Sequence, residues 1–97
     1  MAKIVWSIRA MNDRKKIFAY WNDRNKSTIY SNKLNAIFKQ TLILINDYPH
    51  LGKKTNIEQV RLKIVKNFFI FYKNTETHLI VLAIWDCNQD LKNLHLI

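Results

Sequence analysis

The chain carries one proline and one glycine, Pro49 and Gly52, and they lie almost side by side. Proline removes a backbone donor and blocks the preceding helical turn, and glycine opens backbone conformations closed to other residues. The period of the apolar residues changes across this pair. Before it, Tyr30, Leu34, Ile37, Phe38, Thr41, Leu42, Ile45 and Tyr48 recur every three or four residues, as on an amphipathic helix of about five turns. After it, Val60, Leu62 and Ile64 alternate with Arg61, Lys63 and Val65, the period of a strand.

Two further changes of period complete the frame. Residues 3–8 are rich in β-branched and aromatic side chains and predict a first strand. From Ala10 to about Trp21 the spacing lengthens, with Ala10, Met11, Ile17, Phe18 and Trp21 forming an apolar stripe and Ser7 placed to cap the helix. Residues 22–27 are a polar break, with Ser27 or Thr28 as the cap of the second helix. Two amphipathic helices joined by so short a break form an antiparallel hairpin. Downstream, Lys66-Asn67 suits a tight turn between Val60–Val65 and a strand over Phe68–Lys73. Asn74-Thr75-Glu76 turns the chain into His78–Trp85, apolar on both faces and so predicted to be a central, covered strand. Residues 86–97 read as a polar tail with room for a short helix. The expected fold is α+β: a strand, a two-helix hairpin, then a three-stranded antiparallel meander with the helices on one face. The expected core is Trp6, Ile17, Trp21, Leu34, Phe38, Leu42, Ile45, Leu62, Ile70, Tyr72 and Leu82.

At 97 residues the chain predicts one domain over residues 1–97, whose small core must be built from large side chains. Hydrophobic residues make up 48% and aromatic ones 12%, which excludes a disordered chain. A single cysteine, Cys87, excludes an internal disulfide and fits a reducing cytoplasm. The longest apolar run, Leu79–Trp85, is too short to span a bilayer, and no signal-peptide stretch opens the chain, so a cytoplasmic protein without a membrane partner is expected. The net charge of +9 calls for an anionic partner, whether nucleic acid or an acidic protein surface.

No familiar catalytic signature is present. One glycine cannot build a phosphate-cradling loop, and His50, His78, His95 and Cys87 lack metal-ligand spacing, so neither a cofactor nor a metal is expected. Cys87 has no neighbouring base and reads as an incidental residue at a strand end. Arg61 and Lys63 project from the same face of one strand, where two cations at that spacing suit adjacent phosphates or an acidic helix. Lys53, Lys54 and Lys66 lie nearby in sequence. The plainer reading is a solvated sheet face, with Arg61 serving the fold by pairing with a carboxylate such as Asp86. Arg14-Lys15-Lys16, with Arg9, reads as the solvated outer face of the first helix. Tyr20-Trp21 and Phe68-Phe69 have the shape to stack on bases, but their periodicity assigns most of them to the core.

With Trp6-Ser7 upstream, the run Tyr48-Pro49-His50-Leu51-Gly52, the strand pair around Lys66-Asn67, and Ile84-Trp85-Asp86 with Gln89 downstream, the chain resembles the RelE/ParE superfamily of toxins from bacterial toxin–antitoxin modules, including those that stabilise plasmids. The resemblance covers nearly the whole chain. It implies a cognate antitoxin whose flexible segment folds across the toxin, and one of two targets. RelE-like members cleave messenger RNA on the ribosome by activating a ribose 2′-hydroxyl. ParE-like members share the fold and poison DNA gyrase by binding it. The nuclease pattern places an arginine three residues before the tyrosine matching Tyr72, where this chain has Phe69. It places another after the last long strand, where the nearest match is Asn88, and an acid or base near the C-terminus, where only His95 remains. If the chain were a nuclease, Lys53, Lys54, Arg61, Lys63 and His95 would be its catalytic candidates. The expected reading is a toxin that binds and poisons, with Arg61, Lys63, Lys66 and Asn88 as binding residues, and a degenerate RelE-like endoribonuclease as the alternative.

Overall fold

The computed structural model describes residues 2–90 and 94. The elements run β1 (Lys3–Trp6), α1 (Ile8–Asn25), α2 (Ile29–Asp47), β2 (Lys53–Lys54), β3 (Val60–Val65), β4 (Phe68–Asn74) and β5 (His78–Asp86). The strands form one five-stranded sheet in the order β1-β5-β4-β3-β2. β1 pairs parallel to β5, and the remaining neighbours are antiparallel. The architecture is the expected α+β one, with a helical hairpin on a meander.

Local chemistry explains where the elements stop. The first strand ends at Trp6, two residues short of expectation, because Ser7 becomes the cap of α1: its Oγ accepts from Ala10 N and donates to Leu82 O, both at 3.0 Å. α1 then runs to Asn25, past the expected end at Trp21, and stops where Lys26 turns left-handed (φ 52°) and its N–H reaches Asn22 O. Ser27 supplies the side-chain bond at the start of α2, accepting from Ile29 N at 3.1 Å. Lys66, in the turn between β3 and β4, also has a positive φ, 56°. The geometry glycine usually supplies in two-residue hairpins is here forced on a lysine. β2 was absent from the expected elements. Two lysines show no alternation, and this strand exists only through its pairing with Arg61 and Leu62.

The main core lies between the hairpin and the sheet. Leu34, Phe38, Leu42 and Ile45 of α2 meet Val65, Phe68, Ile70, Tyr72, Leu79, Val81 and Ile84 of the sheet. Phe38 is fully buried, offset-stacked with Phe18 at 6.3 Å and edge-on to Phe68 at 5.7 Å. Trp6, Ile17 and Trp21 are only half-buried against this cluster. Leu62 and Leu82, expected in the same core, face the other way. They pack with Val60, Phe71, Ala83 and Trp85 in a second cluster on the opposite sheet face, which Leu94 also joins. The reason is register. Val65 pairs with Phe68 and Arg61 with Tyr72, so the face of β3 that carries Arg61, Lys63 and Val65 is the one turned to the helices. The more apolar face, Val60-Leu62-Ile64, is the outer one, and Ile64 remains 47% exposed.

Candidate functional site

The sequence-derived basic residues separate into two places. Lys54 stands opposite Arg61 across the β2–β3 pair, and Lys53 opposite Leu62, on the other face. Lys63 lies along β3 from Arg61, opposite Ile70. Lys66 and Asn88 belong to the far end of the sheet, in exposed turns brought together by the Cys87 N–Asn67 O bond. His95 lies outside the described residues.

Arg61 is held by the fold. Its guanidinium donates to Gly52 O at 2.8 Å and to His50 O at 3.4 Å. It does not pair with Asp86, which lies opposite Phe68 at the other end of the sheet. The same loop is gripped by Tyr72, whose hydroxyl accepts from Gly52 N (2.9 Å) and donates to Pro49 O (3.0 Å). Tyr72 is 1% exposed. Burial raises its pKa above the usual tyrosine value, against the Gly52 N–H and the Arg61 charge, which both favour the phenolate. A Cβ on Gly52 would sit 2.6 Å from the Tyr72 hydroxyl and 2.7 Å from Leu62 O. Glycine is therefore required here for space, and Pro49-His50-Leu51-Gly52 is a clasp closing the helix-to-sheet junction.

The other end holds a groove of about 830 Å³ between α1 and the second half of β5. Its origin is the shortness of β1, which covers β5 only from His78 to Val81. Beyond Val81 no strand pairs with the β1-side edge of β5 among the described residues, and α1 crosses there instead. Asp13 fastens the crossing: its carboxylate accepts from Ile84 N and from Arg9 Nε, each at 3.1 Å. The floor is Phe68 and Ile84, with Trp85 of the opposite-face cluster lining the strand edge, and the helix rim carries Lys16, Tyr20 and Arg24 at successive turns. Arg9 lies 6.0 Å from the Trp85 ring and Arg24 5.9 Å from that of Trp21. The opposite rim is Asn67, Asp86, Asn88 and Gln89.

Reading the sequence assigned Arg9 and Lys16 to a solvated helix face and missed this groove. The signal was the series Lys16, Tyr20, Arg24, basic–aromatic–basic at four-residue spacing on one helix face. Arg14 stands elsewhere, over the Trp6 ring at 4.2 Å. Cys87 is exposed, yet partial burial and the neighbouring Asp86 charge raise its pKa, which disfavours the thiolate a nucleophile needs. Among the described residues no three histidine, cysteine or acidic side chains gather as a metal site, and no helix is long and apolar enough to cross a membrane.

A helical hairpin laid across a mixed sheet whose first strand joins in parallel is the fold of small RelE/ParE-like toxins. The solved "Chromosomal ParDE TA system from P. aeruginosa" shares it, with a TM-score of 0.75 over 89% of this chain and 96% of that one at 13% identity, a likeness of fold alone. The family follows from the sequence: the family model for the ParE toxin of the type II toxin–antitoxin system, parDE, matches residues 4–91. The chain belongs to the ParE toxin family, and its role is that of a toxin with an antitoxin partner. No curated protein matches it significantly in sequence.

Proposed function

We propose that this toxin acts in the cytoplasm by binding and poisoning a cellular target, DNA gyrase, and that its antitoxin neutralises it by covering the binding surface. The observation that carries this reading is the engagement of Arg61. Cleavage by 2′-hydroxyl attack gathers negative charge on the phosphate, and a fixed donor aimed at that charge is worth about 10²–10³ in rate. Of the candidate cations, Arg61 is tied to two main-chain carbonyls inside the fold. Phe69, standing where the nuclease pattern has an arginine, is on the other sheet face, edge-on to Phe71 at 6.2 Å. Arg61 and Lys63 project from the helix-side face and cannot substitute at Phe69 without a new path for the phosphate. The acid or base of the nuclease pattern has no counterpart among the described residues, and the candidate His95 is a single imidazole.

Supercoiling by purified gyrase in the presence of the purified chain tests the reading. Inhibition that is relieved by adding the product of the neighbouring reading frame is the expected result. Full supercoiling activity at toxin excess, in a preparation that still arrests growth, would direct attention to the ribosome and to a RelE-like endoribonuclease.

A further inference from the structure

The groove between α1 and β5 has a second property besides its charge. Along β5 the backbone groups that face β1 sit on odd-numbered residues, since Lys3 N reaches Thr77 O and Ser7 N reaches Val81 O. Phe71 pairs with Ala83 and Tyr72 with Val81, which leaves Leu82 as an extra residue, a β-bulge. The bulge reverses the parity. From there on Trp85 and Cys87 bond β4, as the Cys87 N–Asn67 O bond requires, and the N–H and C=O groups of Ile84 and Asp86 turn to the β1 side. Ser7 Oγ donates to Leu82 O and Asp13 accepts from Ile84 N. By the same parity the next two groups along this edge, Ile84 C=O and Asp86 N–H, lie on the groove side of β5. In a parallel ladder a single partner residue accepts from one such group and donates to the other.

We infer that this groove is where the antitoxin docks: an extended acidic segment enters beside β5 in the direction of β1 and sets an apolar side chain on the Phe68–Ile84 floor. The inference rests on the toxin–antitoxin reading above and assigns it a surface. Charge complementarity selects the occupant. Lys16 and Arg24 are exposed on the helix rim, whereas Asp13 is already engaged by Arg9 and by the backbone. An acidic segment running along α1 therefore meets exposed positive charge, while its backbone adds to the strand edge. A nucleic acid strand fits less well, because its phosphates only accept hydrogen bonds, whereas a peptide backbone can both donate to Ile84 C=O and accept from Asp86 N–H.

The test measures affinity between the full chain and its antitoxin, the product of the neighbouring reading frame, by isothermal titration, with circular dichroism to confirm folding. Lys16→Glu and Arg24→Glu are the groove variants, both at exposed positions. Lys53→Glu and Lys54→Glu at the β2 edge are the controls. Each groove reversal should weaken binding about tenfold or more, and each control should change it less than about threefold, with the wild-type affinity falling as salt rises. Antitoxin bound normally by the groove variants but lost in the β2 variants overturns the docking site and leaves the toxin reading intact. If a single-stranded RNA oligonucleotide loses affinity for the groove variants while the antitoxin does not, the groove belongs to RNA and the inference fails. If the wild-type chain does not bind the antitoxin at all, both the inference and the reading it rests on fall.

Discussion

The two ends of the sheet use arginine in opposite ways. At the β2–β3 end, Arg61 is half-buried and donates to the carbonyls of the Pro49–Gly52 clasp. At the α1–β5 end, Arg24 is exposed over Trp21 and donates to the Tyr20 hydroxyl one turn away at 3.4 Å, with no main-chain acceptor among the described residues. The first charge satisfies main-chain acceptors and serves the fold, while the second is left at a rim with a partly apolar floor. A net charge of +9 is therefore a poor guide by itself to which cations bind a partner. What separates them is whether the protein has already supplied the acceptors.

Replacement of Phe38 by alanine should have the largest effect, because its ring joins the helical hairpin to Phe68 and so supports both ends. The loss is expected to be about 3–5 kcal/mol in urea unfolding, with antitoxin binding lost along with the fold.

The next variants separate the ends. Gly52→Ala forces a methyl against the Tyr72 hydroxyl and the Leu62 carbonyl, and should cost about 3 kcal/mol, the upper range for overpacking. Because the strain is confined to the clasp, antitoxin affinity of the folded fraction should stay at the wild-type value. A variant as stable as wild type would show that the clasp is looser than described.

Tyr72→Phe removes both hydroxyl bonds and leaves the Gly52 N–H buried without an acceptor, at about 1–3 kcal/mol. It also carries a pH signature. The native phenol keeps its proton above the ordinary value of 10.0, so the folded state binds that proton more tightly than the unfolded one. Its contribution is complete below the unfolded pKa and is lost as the pH rises through the folded one. Wild type should therefore lose stability more steeply than Tyr72→Phe on titration above pH 10.0. Parallel curves would exclude this linkage.

The smallest effects give the sharpest contrast. Arg61→Met should cost about 1 kcal/mol through its lost carbonyl bonds, whereas Arg24→Met should change stability by less than about 0.5 kcal/mol. Equal costs, measured by urea unfolding, would erase the distinction between the two ends.

The fold was legible where a local pattern decided it. Leu34, Phe38, Leu42 and Ile45 announced their helix by spacing alone, and the change of period across Pro49 and Gly52 placed the junction. Long-range pairing hid the rest. The sequence shows that Arg61 and Leu62 point in opposite directions, but not which of them faces the helices. The pairing of Arg61 with buried Tyr72 settles that. β2 has no pattern of its own, and the groove arises from a short parallel strand and a bulge at Leu82, neither of which leaves a local trace. The candidate site was legible to the same degree. Arg61 was singled out, but its acceptors, His50 and Gly52, lie on the glycine-bearing loop rather than at Asp86. Lys16 was set aside as solvated because its groove neighbours lie far along the chain.

Primer-extension mapping of transcript 5′ ends in cells expressing the wild-type chain, beside cells expressing Arg61→Ala, tests most directly whether this toxin binds rather than cuts. The account predicts growth arrest by the wild-type chain with no new codon-linked 5′ ends, and the same transcript pattern for the variant. Efficient codon-linked cleavage by the wild-type chain that disappears in a folded Arg61→Ala variant would contradict it, and would make Arg61 a catalytic residue rather than a clasp.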